Sequence, residues 1–142
     1  MRGQMLVAIA AVGVLSAAVP GWAHHAFSAE FDAADPVRLI GTVAKMELVN
    51  PHAWIYVDVK NSDGKVVTWA IECGAPNSLI RRGFNKNSLP VGSELVVEGY
   101  RAKDGLPKAN GRSVTFADGR IVFVGSSDTG APADGRDPSE AK

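Results

Sequence analysis

The sequence predicts an all-β domain with one short helix, folded as a small OB-like barrel of five or six strands with the helix between strands three and four. Three observations support this prediction. Segments of alternating apolar and polar residues are separated by turns rich in glycine and asparagine. The first segment is long and contains a glycine, and a helical pattern follows the third. This order is typical of an OB-fold, whereas a meander or lipocalin-like barrel, the alternative, needs more strands than this length supplies.

The first three strands are predicted from their alternation. Residues 37–49 alternate for long enough to form one bent strand, and Gly41 inside it predicts a bulge or a tight coil. Pro51 ends this strand because proline cannot continue a ladder. Residues 53–60 and 66–73 form the next two strands, joined by an Asn-Ser-Asp-Gly hairpin turn. The two faces of strand two carry Ile55, Val57 and Val59 on one side, and Trp54, Tyr56 and Asp58 on the other.

After the third strand the apolar period changes to that of a helix. Pro76 suits a first helical turn, Gly83 ends the helix, and Phe84 is predicted to enter the core. The remaining predicted elements are a helix at residues 78–82, a strand at 94–102, a loop at 103–111 and a final hairpin formed by 113–117 and 120–124.

Both ends of the chain differ from the domain between them. Residues 1–23 are typical of a secretory signal, because Arg2 precedes an apolar run and Ala23 supplies a small residue for cleavage. A cut after Ala18 is the alternative. We therefore expect a periplasmic or secreted protein with no membrane span after cleavage. The mature chain is expected to begin with an N-terminal arm, residues 24–36, which Phe27 and Phe31 hold against the domain. The barrel domain follows at residues 37–125, and residues 126–142 are expected to form a polar, disordered tail.

Charge and cysteine content narrow the function classes. The chain has 15 basic and 15 acidic residues, and removal of the signal takes away only Arg2. The mature net charge of −1 argues against a nucleic-acid partner, which normally requires a basic excess. Cys73 is the single cysteine, so no intramolecular disulfide can form, and its apolar strand predicts a buried thiol.

Several motifs together resemble a group of exported bacterial proteins of unknown function. The resemblance covers residues 24 to about 125, and Phe84 and Cys73 are departures from it, because tryptophan is expected at the first and a small or apolar residue at the second. It implies a periplasmic barrel and assigns no activity. The motifs are His24-His25-x-Phe27, Glu30-Phe31-Asp32, Gly41-Thr42-Val43, Asn50-Pro51-His52-Ala53-Trp54-Ile55, Trp69 with Glu72, Asn77-Ser78-Leu79, Arg81-Arg82-Gly83, the Gly99 to Gly105 segment, and Ala117-Asp118-Gly119-Arg120.

The three histidines predict a copper site. Cleavage after Ala23 would place an amine and an imidazole together on His24, and His52 or His25 could supply a third nitrogen. Amine and imidazole donors suit Cu(II), since divalent affinity peaks at copper. The alternative is that His24 and His25 are solvated and His52 caps a turn. A zinc site lacks the cysteine pair or acidic-histidine spacing that would support it.

Two further groups of side chains are candidates for binding. Trp54 and Tyr56 share one face of strand two, where an OB-fold binds its ligands, or the tryptophan could instead fill the barrel with Trp69. Glu72 could orient an imidazole or pair with Arg81. The basic residues near the helix and the long loop are interspersed with acidic ones and are expected to be solvated; they are Arg81, Arg82, Lys86, Arg101, Lys103, Lys108 and Arg112.

Catalytic signatures are weak, so we expect a non-enzyme. No nucleophile elbow surrounds Ser78 or Ser88, and an apolar strand is a poor place to stabilise a Cys73 thiolate beside His52. The leading hypothesis is an exported protein that binds Cu(II) through His24 with His52. The alternative is a metal-free adaptor that recognises an oligomeric or protein partner on the barrel face or an open edge.

Overall fold

The computed structural model describes residues 27–125. Its secondary structure is almost entirely β, which confirms the all-β prediction, and a short helix lies between the third and fourth strands. Residues 27–30 form an additional helical turn directly before the first strand. The predicted signal, the first residues of the arm and the tail lie outside the described residues. The elements are β1 (Phe31–Glu47), β2 (Trp54–Lys60), β3 (Val66–Glu72), α1 (Pro76–Arg81), β4 (Glu94–Ala102), β5 (Lys108–Phe116) and β6 (Ile121–Phe123).

The six strands form one sheet in the order β3-β2-β1-β4-β5-β6, with antiparallel neighbours. β3 also pairs with β5 in parallel, through Ala70–Lys108 and Glu72–Asn110. The pairings β1–β2–β3–β5–β4–β1 therefore return to their starting strand, and β6 continues from β5 outside that circuit. This circuit brings the ends of β3 and β5 together, which positions the candidate site.

β1 begins at Phe31, six residues before the predicted start. Phe31 already pairs with β4, but the register of this pairing is irregular until Pro36. This irregular pairing explains why residues 31–36 lack the alternation that would have predicted a strand. Gly41 is not at a bulge. A Cβ on Gly41 would lie 2.3 Å from the backbone oxygen of Asp58, so the glycine permits the close approach of β2. The register shift in this strand occurs farther along, after Val43.

The predicted loop at residues 103–111 is wrong in its second half, because β5 starts at Lys108. Asn110 and Gly111 resemble turn residues, yet both lie in the ladder between β3 and β4. A Cβ on Gly111 would lie 2.7 Å from Cγ2 of Ile71. The glycine is therefore required by crowding inside the fold, a tertiary constraint that composition does not reveal.

The main core lies on the inward side of the strands, and its members are apolar residues at alternate positions. Ile55 and Val57 of β2 are fully buried, as the alternation predicts. Phe84 is also buried, confirming that it packs into the core after Gly83, whose φ of +92° ends α1. The other buried members include Val37, Leu39, Val43, Trp69, Ile71, Cys73, Leu79, Leu89, Leu95, Val97, Ala109, Val114 and Val124.

A second, smaller cluster attaches the start of the described chain to β4. Phe27 is 5% exposed and packs edge-on against Tyr100, with ring centroids 5.7 Å apart, while Phe31 is 5.8 Å from Phe27. Ala102 completes the cluster. Both phenylalanine rings are thus buried against the sheet, as predicted. The chain before β1 is therefore fixed in place as far back as Phe27.

Candidate site around His52

His52 lies where the β2–β3 ladder continues beyond both strands. The Ala53 amide donates to the Gly74 carbonyl (3.0 Å), and the Cys73 amide donates to the Ala53 carbonyl (2.8 Å). Ala53 points into the core, so His52 and Trp54 on either side of it belong to the opposite side. We call this side the outer face, defined by Trp54, Tyr56, Glu72, Lys108 and Asn110. Because Glu72 pairs with Trp54 across the ladder, its carboxyl lies on the same face.

His52 and Glu72 form the centre of the site. His52 Nδ1 lies 3.2 Å from Glu72 Oε1, and the imidazole is 34% exposed whereas Glu72 is 7% exposed. An imidazole that donates its Nδ1–H to a carboxylate is held in one tautomer and one orientation. In that tautomer, Nε2 carries the free lone pair. This is how proteins orient a histidine that binds a metal through its other nitrogen.

Asn110 lies on the other side of the Glu72 carboxyl. Its Nδ2 lies 3.5 Å from Glu72 Oε1, and the residue is only 1% exposed. Within residues 27–125, Asn110 Oδ1 is the buried side-chain oxygen that has no hydrogen-bond partner. Burial raises the pKa of the Glu72 carboxyl, and the charge of Glu30 adds to this, while His52, Lys108 and Asn110 act in the opposite direction. We call His52, Glu72 and Asn110 the polar cluster.

The chain before β1 is clamped beside the polar cluster by charged and polar contacts. Glu30 forms an ion pair with Lys108, which lies two residues before Asn110 on β5. Lys108 Nζ also lies 3.5 Å from Asp104 Oδ2. The Lys103 amide donates to the Glu30 carbonyl at 2.9 Å.

The two predicted ligand-binding aromatics both lie on the outer face and are partly exposed. The Tyr56 hydroxyl donates to Glu47 Oε2 at 3.1 Å, and Lys45 lies 5.6 Å from the centre of its ring. Burial and the neighbouring Glu47 raise the pKa of Tyr56, so its hydroxyl stays protonated near neutral pH. Trp69 is the tryptophan that packs inside, with the Arg101 guanidinium 5.1 Å from its ring.

The predicted metal ligands fall into two groups. His52 is placed beside Glu72, whereas His24 and His25 lie outside the described residues. Within residues 27–125, no three histidine, cysteine or acidic side chains converge to hold a metal ion. A site at His52 with three such side chains would therefore draw on residues outside 27–125.

Two alternatives from the sequence are decided by these contacts. Glu72 pairs with His52, and the Arg81 guanidinium instead donates to Ser78 Oγ (3.2 Å). Cys73 is 1% exposed, which confirms the buried thiol, and burial raises its pKa well above that of an ordinary cysteine. A thiol in this state is a poor nucleophile, even with His52 as a base.

Sequence reasoning missed three residues of this region: Asn110, Lys108 and Glu30. The first two fall in the predicted loop, and Glu30 falls in an arm without periodicity. The available signal was the alternation from Lys108 to Gly111, in which Ala109 and Gly111 are small. Small residues at every second position fit a crowded inner face and would have placed Lys108 and Asn110 on the outer one.

The fold and the site together define a small all-β protein with a histidine beside a buried glutamate on the outer face of its sheet. The chain belongs to DUF6152, a family of unknown function, whose family model matches residues 10–112. No curated protein matches the sequence. Between residues 27 and 125, none of the helices has the length and apolar character needed to cross a membrane.

Proposed function

We propose that this protein is an exported, periplasmic Cu(II)-binding protein with an OB-like barrel, and that His24 and His52 are its principal metal ligands. Export is supported by the signal-like residues 1–23. The OB-like barrel is supported by the circuit of pairings among β1, β2, β3, β5 and β4 and by the helix between β3 and β4.

The observation that carries the proposal is the position of the His52 imidazole beside Glu72, close to an N-terminal segment that Glu30 attaches to Lys108. His52 Nδ1 lies 3.2 Å from Glu72 Oε1, and a neutral imidazole that donates from Nδ1 to this carboxyl would keep the Nε2 lone pair for a metal. Phe27 is fixed on Tyr100, the residue that pairs with Asn110 across the ladder. His24 precedes Phe27 by three residues, which span at most about 11 Å of extended chain.

Contacts of the segment after Phe27 support a shared site. Glu30, three residues after Phe27, forms an ion pair with Lys108 on β5, and Asn110 on the same strand contacts Glu72, which lies beside His52. A mature N-terminus at His24 would supply an amine and an imidazole from one residue. With His52, this gives three nitrogen donors, the type that Cu(II) prefers. His25 remains the alternative third donor.

Two measurements test this proposal. N-terminal sequencing of the exported protein is expected to begin at His24, because a cut elsewhere removes the amine ligand. Isothermal titration of the mature protein with Cu(II) is expected to give one site that His52→Ala weakens by at least about tenfold, since one donor is lost. His25→Ala is the matched control and should leave the affinity within about twofold. A loss of affinity confined to His25→Ala would favour the adjacent pair instead.

The second candidate function is a metal-free adaptor, favoured by the partly exposed Trp54 and Tyr56 on the outer face. Lys45 and Glu47 hold Tyr56 in place, so this aromatic surface is ordered before any partner arrives. Aromatic side chains on the face of an OB-like barrel suit stacking on rings of an oligomeric ligand. A mature protein that binds no Cu(II), but whose tryptophan fluorescence responds to oligosaccharides, would favour this function.

A further inference from the structure

A second surface combines clustered arginines with an open strand edge. A groove of about 340 Å³ lies between the end of α1 and β6 and is lined by Arg81, Arg82, Arg120 and Ile121–Phe123. We call it the arginine groove. None of its lining residues is acidic, and residues 74–93, which include α1 and the turn after it, contain no aspartate or glutamate. Asp118 is a nearby carboxylate, 3.9 Å from Arg120 Nε.

Two of the three guanidinium groups are held in place by aromatic rings. Arg82 lies 4.9 Å from the ring of Phe123, and Arg120 lies 4.4 Å from the ring of Phe116. Arg82 also donates to the Gly125 carbonyl at 3.1 Å. For Arg120, stacking over a ring uses the face of the guanidinium and leaves N–H groups at its edge to bind carboxylates. Less side-chain entropy is then lost when an anion binds.

β6 presents backbone groups to the same groove. Its ladder with β5 includes donation from the Phe116 amide to the Arg120 carbonyl and from the Val124 amide to the Arg112 carbonyl, both 2.9 Å. In an antiparallel pair the bonded residues alternate, so Ile121 and Phe123 direct their backbone N–H and C=O groups away from β5. Within residues 27–125, β5 is the one strand that pairs with β6. An unpaired strand edge is a template for another chain.

We propose that the arginine groove binds an extended, acidic segment of a partner protein, which adds as a strand to the free edge of β6. Main-chain hydrogen bonds to Ile121 and Phe123 would fix the register of the added strand. Its alternate carboxylates would meet Arg81 and Arg120, and apolar residues between them would cover the exposed side chain of Ile121. We choose an acidic partner because its carboxylates would complement the positive charge of the arginine groove. The proposal does not depend on copper binding.

The test uses the full mature chain and two synthetic heptapeptides, one alternating Glu with Val and one alternating Lys with Val. Nuclear magnetic resonance titration is expected to show saturable binding of the Glu peptide alone, centred on the amides of Ile121 and Phe123. Those two amides should also gain protection from hydrogen exchange. Binding of both peptides with equal affinity, or shifts centred elsewhere, would overturn the proposal.

Charge reversal supplies the matched control. Arg81→Glu combined with Arg120→Glu is expected to weaken binding at least about tenfold, whereas Arg38→Glu, an exposed arginine on β1, should change it less than twofold. Arg82 is left intact because it contacts Gly125. The tail of this chain is itself acidic, with Asp128 and Asp134 among its carboxylates. If the Glu peptide binds only after the tail carboxylates are changed to amides, the tail is the occupant and the proposal fails.

Discussion

Phe27→Ala is expected to release the chain before β1 from the sheet without unfolding the main core. Phe27 is 5% exposed and belongs to the small cluster with Phe31, Tyr100 and Ala102, which is separate from the main core. Full burial of a phenylalanine contributes about 1.5–3 kcal/mol, and aromatic pairing adds about 0.5–1.5 kcal/mol. The free energy of local opening should therefore fall by about 2–4 kcal/mol.

Native-state hydrogen exchange measures this change directly. The Lys103 amide donates to the Glu30 carbonyl, so it is protected only while the segment is docked. A loss of 2–4 kcal/mol predicts exchange that is about 30- to 900-fold faster at Lys103. The Gly74 amide, bonded to Val124 in the main core, is the internal control and should change little. Equal acceleration at both amides would refute a separately docked segment, as would no acceleration at either.

Three further predictions address the fold and the buried groups. Gly99→Ala should reduce the free energy of unfolding in urea by about 1–3 kcal/mol or more, because its Cβ would lie 2.1 Å from the Asn110 backbone oxygen; unchanged stability would contradict this packing. The Cys73 thiol should react with a disulfide reagent only on unfolding, since burial raises its pKa and blocks access, and equally fast reaction of native and urea-unfolded protein would contradict it. Burial raises the pKa of Glu72, so its stabilising contribution is full below the ordinary glutamate pKa and is lost as pH rises through the folded-state value. In metal-free protein, Glu72→Gln should therefore reduce the loss of stability between the ordinary glutamate pKa and the raised folded-state pKa. An unaltered dependence of the free energy of unfolding on pH would show that Glu72 does not cause this loss.

Local patterns predicted much of the fold. β4 matches its predicted bounds, β2 and β3 differ from theirs by one residue at one end, and the burial of Phe84 and Cys73 agrees with expectation. The wrong predictions concern residues whose structure is set by contacts between distant parts of the chain. Lys108 to Gly111 resemble a loop, but pairing with β3 and β4 on both sides overrides their composition. Gly41 suggested a bulge, whereas it serves the close approach of β2.

The candidate site was predictable only in part. His52 and Glu72 were identified from the sequence, and their pairing was one of two alternatives that only coordinates could separate. Asn110 and Lys108 reach the site through the parallel pairing of β3 with β5, which joins residues almost forty positions apart. No local pattern specifies such a pairing. The placement of Trp54 outside and Trp69 inside likewise depends on which face of each strand the core occupies.

Electron paramagnetic resonance of the mature protein with one equivalent of Cu(II) tests the central claim most directly. The wild-type spectrum should show nitrogen coordination, and His52→Ala should change the copper hyperfine splitting because one imidazole donor is lost. A second variant, with one alanine added before His24, should change the spectrum as well, because it moves the terminal amine away from the His24 imidazole. Identical spectra for wild type and His52→Ala would show that His52 is not a ligand and would contradict the proposed site.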